Sequence, residues 1–170
     1  MRKVKLFIAT SLDSYIAGPN GEIDWLFTTG DFGYSAFMQT VDTTLMGNET
    51  YKLTASFGDF PYKSQTNCVF TRNPDAADAP YVKFISGDIT AFVADLKQQP
   101  GKDIFLVGGG QINALLLEAG LIDELQVFVH PILLGQGIPL FQPTKTRHTW
   151  RLAGSQSFEQ GLVELHYMKA

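Results

Sequence analysis

Ile104-Phe105-Leu106-Val107-Gly108-Gly109-Gly110-Gln111-Ile112-Asn113 decides the reading of this chain. Its apolar run is too short for a helix and ends on three glycines, after which Ile112, Leu115, Leu116 and Ala119 recur at helical spacing until Gly120. The pattern predicts a buried strand, a tight turn and a helix. Glycines let backbone N–H groups approach a phosphate without a Cβ in the way, and a helix N-terminus adds the positive end of its dipole. Two glycines would suffice for a turn that binds nothing; the third points toward an anion. The spacing is neither G-x-G-x-x-G nor that of a P-loop.

Outward from this stretch, the chain alternates strands with helices. Val4, Leu6 and Ile8 alternate along a first strand, and Thr43–Met46, Cys68–Thr71 and Val82–Ile85 are short apolar runs bounded by turn formers. Tyr34, Phe37, Met38 and Val41 fall on one helix face, as do Phe92, Val93 and Leu96 between Asp88 and Pro100-Gly101. Leu125–Leu134 is rich in β-formers, and the tail reads as a hairpin turning at Glu159-Gln160-Gly161. The order predicts an α/β domain over 1–170 with a mixed, mostly parallel sheet of about eight strands, about four helices and a C-terminal antiparallel hairpin.

Two further strand ends suggest anion contacts. Leu45-Met46-Gly47-Asn48-Glu49-Thr50-Tyr51 passes from a strand through glycine into polar residues, although Asn48 capping a plain junction explains it equally well. Thr71-Arg72 places a guanidinium at a third strand's carboxyl end, the edge where open α/β sheets bind ligands, and its fork suits a 2′-phosphate. Asp24-Trp25 and Asp31 precede the first helix. A carboxyl group there could sit in a pocket with Trp25 and Phe37 that raises its pKa, or Asp31 could simply cap the helix.

Composition narrows the partners. The 170 residues carry a net charge of −4 without a basic run, which disfavours nucleic acid. No apolar stretch approaches the roughly 18 residues of a membrane span. Lys5 and Asp13 interrupt the apolar start that follows Met1-Arg2-Lys3, so no signal peptide is expected. The lone Cys68 fits a reducing, cytoplasmic setting. His130, His148 and His166 are too scattered for a metal site.

The motifs in order resemble the dihydrofolate-reductase-like superfamily. Ser11-Leu12-Asp13-Ser14-Tyr15-Ile16-Ala17 resembles its S-L-D-G-Y-I-A opening, Met46-Gly47-x-x-Thr50-Tyr51 its M-G-R-x-T-W, and Val107-Gly108-Gly109-Gly110 its I-G-G-G turn. His130–Phe141 is similar to the P-x-L-L-G-x-G-x-P-L-F segment of the riboflavin-biosynthesis reductase domain and its stand-alone relatives. The resemblance implies a three-layer α/β/α fold and NADPH across the carboxyl edge of the sheet, with NADH an alternative. It places Ala9, Ile16 and Ala17 beside the nicotinamide, and Gly47, Asn48, Glu49 and Thr50 along the pyrophosphate and adenosine. Thr71 and Arg72 would meet the 2′-phosphate, while Val107, Gly108, Gly109, Gly110, Gln111 and Ile112 form the pyrophosphate turn. Trp25, Asp31 and Phe37 would contact substrate, with Asp31 handling the proton.

The expected activity is reduction of a small heterocycle or imine, best matched by the phosphoribosylamino-pyrimidine of riboflavin biosynthesis. Dihydrofolate reduction and a non-catalytic nucleotide-binding role are the alternatives. Asn48 stands where the motif has Arg, Glu49 beside it leans toward NADH, and Val129-His130 replaces a threonine of folate reductases. The apolar Leu133–Phe141 stretch and the resemblance both suggest a homodimer.

Overall fold

The computed structural model describes every residue from Met1 to Ala170. In chain order the elements are β1 (Val4–Thr10), β2 (Tyr15–Ala17), α1 (Tyr34–Thr40), β3 (Val41–Gly47), α2 (Asn48–Ser56), β4 (Thr66–Phe70), β5 (Val82–Ile85), α3 (Ile89–Gln98), β6 (Asp103–Gly108), α4 (Gly110–Glu118), β7 (Glu124–Val129), β8 (Ile138–Pro139), β9 (Trp150–Ser157) and β10 (Val163–Lys169). Eight strands form one sheet in the order β5-β4-β3-β6-β1-β7-β10-β9. The strands from β5 to β7 are parallel neighbours, whereas β10 runs antiparallel to both β7 and β9. A separate two-stranded ribbon pairs β2 with β8.

Alternation along β1 sorts side chains to two cores. Val4 and Leu6 are fully buried with Val93 and Leu96 of α3 and Leu116 and Leu117 of α4. Phe7 points the other way, against Phe37 of α1 and Phe128 of β7. The result is the three-layer dihydrofolate-reductase-like fold, in which burial of each such aliphatic side chain contributes about 1.5–3 kcal/mol.

Local signals explain most boundaries. Asp88 accepts the Ala91 N–H and caps α3, which stops just before Pro100-Gly101. Two expectations are corrected. Val41 does not extend α1 but opens β3, because it pairs with Asp103 of β6. The β-rich stretch 125–134 ends as a strand at Val129: the His130 N–H donates to the Thr10 carbonyl, and Pro131 follows.

Most charged side chains at the amino edge of the sheet are paired. Arg2 binds Asp42, Lys97 lies 2.7 Å from Asp123, Lys5 lies 2.8 Å from Asp103, and Lys3 lies 2.7 Å from Glu124. No helix is long and apolar enough to cross a membrane, and no cluster of His, Cys, Asp and Glu could hold a metal ion.

Candidate active site

At the opposite, carboxyl edge, two neighbouring strands end alike. β3 finishes on Gly47 and β6 on Gly108, and each passes directly into a helix whose N-cap, Gly47 or Gly109, supplies no side-chain hydrogen bond. The first-turn N–H groups of α2 and α4 thus lack partners from their own helices or caps. A Cβ on Gly109 would lie 3.4 Å from Thr50 Oγ1 and 3.7 Å from Ile16 Cδ1, so both helix starts and β2 converge on one spot. Beside β3, β4 delivers Thr71 and the exposed Arg72 to the same edge. Glu49 pairs with Lys52 at 2.8 Å, which offsets its charge near the site. Two uncapped dipole ends side by side form a donor set that fits a pyrophosphate.

The third glycine has a reason that the sequence reading assigned to a ligand. A Cβ on Gly110 would come within 3.0 Å of the Pro139 carbonyl oxygen. Around it, the Asn113 amide donates to the Leu140 carbonyl at 2.9 Å and the Gln142 N–H donates to the Gly110 carbonyl at 3.2 Å. Asp13 fixes the same ribbon from the other side: its carboxylate accepts the Leu134 and Gly135 N–H groups at 3.1 and 2.7 Å. The Ser11 hydroxyl and those two amides hold its carboxyl below the usual carboxylate range. The glycine turn, β8 and the β1–β2 loop are therefore one tied unit.

Next to this unit, Ala9 and Val107 form part of a cavity of about 410 Å³ whose walls are mainly aromatic: Phe7, Phe27, Phe105 and Phe128. Tyr34 and Tyr62 also line it, and burial, followed by the neighbouring Tyr34, pushes the Tyr62 phenol well above its ordinary pKa. Asp31 lies in the same wall. Contrary to expectation, its pKa is lowered, because it is exposed and accepts hydrogen bonds first from the Ser35 hydroxyl and then from backbone N–H groups. Nor does it cap α1 as N-cap, a position held by Gly33.

Neither Trp25 nor Phe37 lines the cavity. Phe37 is buried behind the cavity between Phe7 and Phe105, and Trp25 packs edge-on against His130 with ring centres 5.2 Å apart. The exposed Asp24 lies outside the cavity wall. Sequence reasoning missed Tyr34, Tyr62 and His130. The helical spacing marks Tyr34 only as a core-facing position, and Tyr62 lies in an irregular segment without periodicity.

His130 is a buried clasp on the loop that walls the cavity. Its Nδ1 lies 3.2 Å from the Phe128 carbonyl, which can only accept, so Nδ1 carries the proton. Nε2 accepts the Phe27 N–H at 3.3 Å, and the Phe27 ring packs 4.8 Å from the imidazole. Burial lowers the His130 pKa. Above about pH 6.5, folded and unfolded forms are both neutral and the clasp is intact. As pH falls below that value the unfolded chain binds a proton that the folded one resists, so stability declines. Thermal unfolding midpoints are expected to fall between pH 7 and 5, and the fall should shrink in His130→Gln; an unchanged slope in that variant would refute the clasp.

The eight-stranded sheet with its crossover helices and C-terminal hairpin is the dihydrofolate-reductase-like fold. Dihydrofolate reductase from Enterococcus faecalis, complexed with NADP(H) and RAB-propyl, superposes with a TM-score of 0.73 at 17% identity, covering 98% of this chain and 96% of that one, a likeness of fold alone. Within this class the chain belongs to the RibD C-terminal domain family, whose model matches residues 2–164. A protein assigned to riboflavin biosynthesis from Shewanella sp. PV-4 is 31% identical, with a TM-score of 0.88 and 99% of both chains covered. The uncharacterized protein YwjB of Bacillus subtilis is 42% identical over 173 residues, covering 99% of each chain.

Proposed function

We propose that this chain is an NADPH-dependent reductase that transfers a hydride to the C=N bond of a small heterocyclic or imine-type substrate. The observation that carries this reading is the pair of glycine-capped helix starts, α2 and α4, side by side next to an aromatic cavity. NADPH bound there would supply a hydride from its nicotinamide. Backbone donors at Gly109, Gly110, Gln111, Ile112 and Thr50 would hold the pyrophosphate, and Thr71 with Arg72 the 2′-phosphate. Ala9, Ile16 and Ala17 would flank the nicotinamide, at the boundary with the cavity.

As the substrate carbon gained that hydride, its nitrogen would gain a proton. Asp31, kept ionised by Ser35, orients a substrate N–H rather than donating a proton from its own carboxyl; the proton comes from water at the exposed cavity mouth. Titration of protein fluorescence with NADPH tests the reading directly. Absence of binding refutes it, and binding without turnover on any heterocycle would leave a nucleotide-binding protein.

Arg72→Ala is expected to raise the NADPH dissociation constant about tenfold, since a charged hydrogen-bonded contact to phosphate is lost. The NADH constant should barely move, and equal effects on both cofactors would reject the phosphate role.

The same reading places the protein in the reducing cytoplasm and makes it a homodimer. An apolar groove of about 300 Å³, walled by Leu125, Val127, Trp150, Leu165 and Tyr167, lies near the exposed Leu12. A second copy covering it would remove that surface from water. Light scattering at micromolar concentration should give twice the chain mass of 18.8 kDa; a monomer would refute the dimer.

A further inference from the structure

We propose that the aromatic cavity takes a flat, uncharged heterocycle and discriminates against compounds that carry a phosphate or carboxylate tail. This rests on the reductase reading above and narrows its substrate.

Three observations carry it. The first is the wall: Phe27 and Tyr34 are part-exposed rings, and Phe7, Phe105 and Phe128 form an apolar aromatic floor beneath them, a lining that suits a planar π-system. The second is the polar inventory. Tyr34 and Tyr62 bring two phenolic hydroxyls to the lining, groups that can serve a ring carbonyl or a ring nitrogen. His130 is neutral with both ring nitrogens engaged by backbone groups. The only formal charge in the wall is the Asp31 carboxylate, which repels an anion.

The third is where the cations are. None of the 13 lysines and arginines lines the cavity. Arg2, Lys3, Lys5 and Lys97 pair with carboxylates at the far, amino edge of the sheet. Lys63, the neighbour of Tyr62 in the chain, binds Asp59. Arg72 lies at the end of β4, three strands from β1 in the sheet order and on the cofactor side. A phosphate in this cavity would lose water without gaining the charged donors that normally repay that loss. A volume of about 410 Å³ sits near the small end of ligand pockets, matching one or two fused rings rather than rings plus a charged tail.

The experiment uses the full chain and two matched pairs. One is 5-amino-6-(ribosylamino)uracil against its 5′-phosphate; the other is 6,7-dimethyl-7,8-dihydropterin against 7,8-dihydrofolate. NADPH binding is first measured alone by fluorescence; its absence would sink the reductase reading rather than this one. With NADPH bound, the uncharged member of each pair should have at least about a tenfold lower dissociation constant. Equal or reversed preference, or no binding of either uncharged compound, overturns the inference. As a gain-of-function check, Phe27→Arg, in the exposed part of the wall, should shift the preference of the first pair toward the phosphate. A variant that keeps NADPH binding without any such shift counts against the proposal as well.

Discussion

Gly110→Ala is expected to abolish NADPH binding and lower the melting temperature by about 10 °C. The added methyl would lie within 3.0 Å of the Pro139 carbonyl oxygen, a backbone atom that cannot rotate away. Overpacking of this kind costs about 3 kcal/mol where backbone must move. The strand displaced is β8, which is two residues long and held to β2 by few hydrogen bonds, so the ribbon yields before the sheet does. Ile16 and Gly109 then separate, and the two helix starts lose their side-by-side geometry. Gly154→Ala is the control: no atom lies within 4 Å of its added Cβ and its φ is ordinary, so melting and binding should both match the parent. Differential scanning calorimetry with a cofactor titration decides the matter. A Gly110→Ala protein that melts with the parent and binds NADPH would show that β8 does not brace the turn.

Asn67→Asp should be comparably damaging from a position remote from the cofactor. Asn67 is 1% exposed, and its amide nitrogen lies 2.9 Å from the Tyr62 carbonyl, 3.0 Å from that of Gln65 and 2.9 Å from that of Tyr81. Its side-chain oxygen accepts the Thr44 hydroxyl at 2.6 Å. The replacement keeps the shape but turns a donor toward three carbonyl oxygens into a charged acceptor, at a cost of about 3–5 kcal/mol. The sign with pH follows. Burial among acceptors raises the new carboxyl's folded pKa above its unfolded value, so the folded state holds its proton more tightly. Stability is therefore worst at neutral pH and recovers as pH falls through the raised pKa. Urea unfolding at pH 7 and 5 checks this, and a variant equally stable at both would contradict it. Because Asn67 holds the Tyr62 carbonyl, the variant should also weaken ligands of the aromatic cavity.

The sheet was legible because its strands are short apolar runs and its helices carry regular apolar faces; β6, the glycine turn and α4 follow the sequence with little ambiguity. Val41 misled because it satisfies helical spacing, whereas the register that makes it a strand residue comes from Asp103, far along the chain. The convergence of Gly47, Gly109 and Thr50 could be anticipated, since strand ends of a parallel sheet share one edge. The cavity could not. Residues 18–33 have no repeating hydrogen-bond pattern, and which of their side chains face inward depends on His130, about a hundred residues later, holding Phe27. The sequence points to a raised Asp31 pKa in a closed pocket, whereas Asp31 is exposed and the deciding partner is the hydroxyl of Ser35, which lowers it. The requirement for Gly110 was likewise invisible, being set by the arrival of Pro139.

The placement of β1 between β6 and β7 has a consequence in time. The first strand of the chain matches Val4 to Ile104 and Leu6 to Leu125, so neither of its sheet partners exists until most of the chain is available. Closing such long loops before any pairing is rewarded slows the search, and domains dominated by distant contacts fold in roughly milliseconds to seconds. A ribosome making this protein would carry an unpaired Val4-Lys5-Leu6-Phe7-Ile8 segment through much of synthesis. Lys5 puts a charge in the middle of that apolar segment, which disfavours self-association of an unpaired strand, and in the finished sheet it pairs with Asp103.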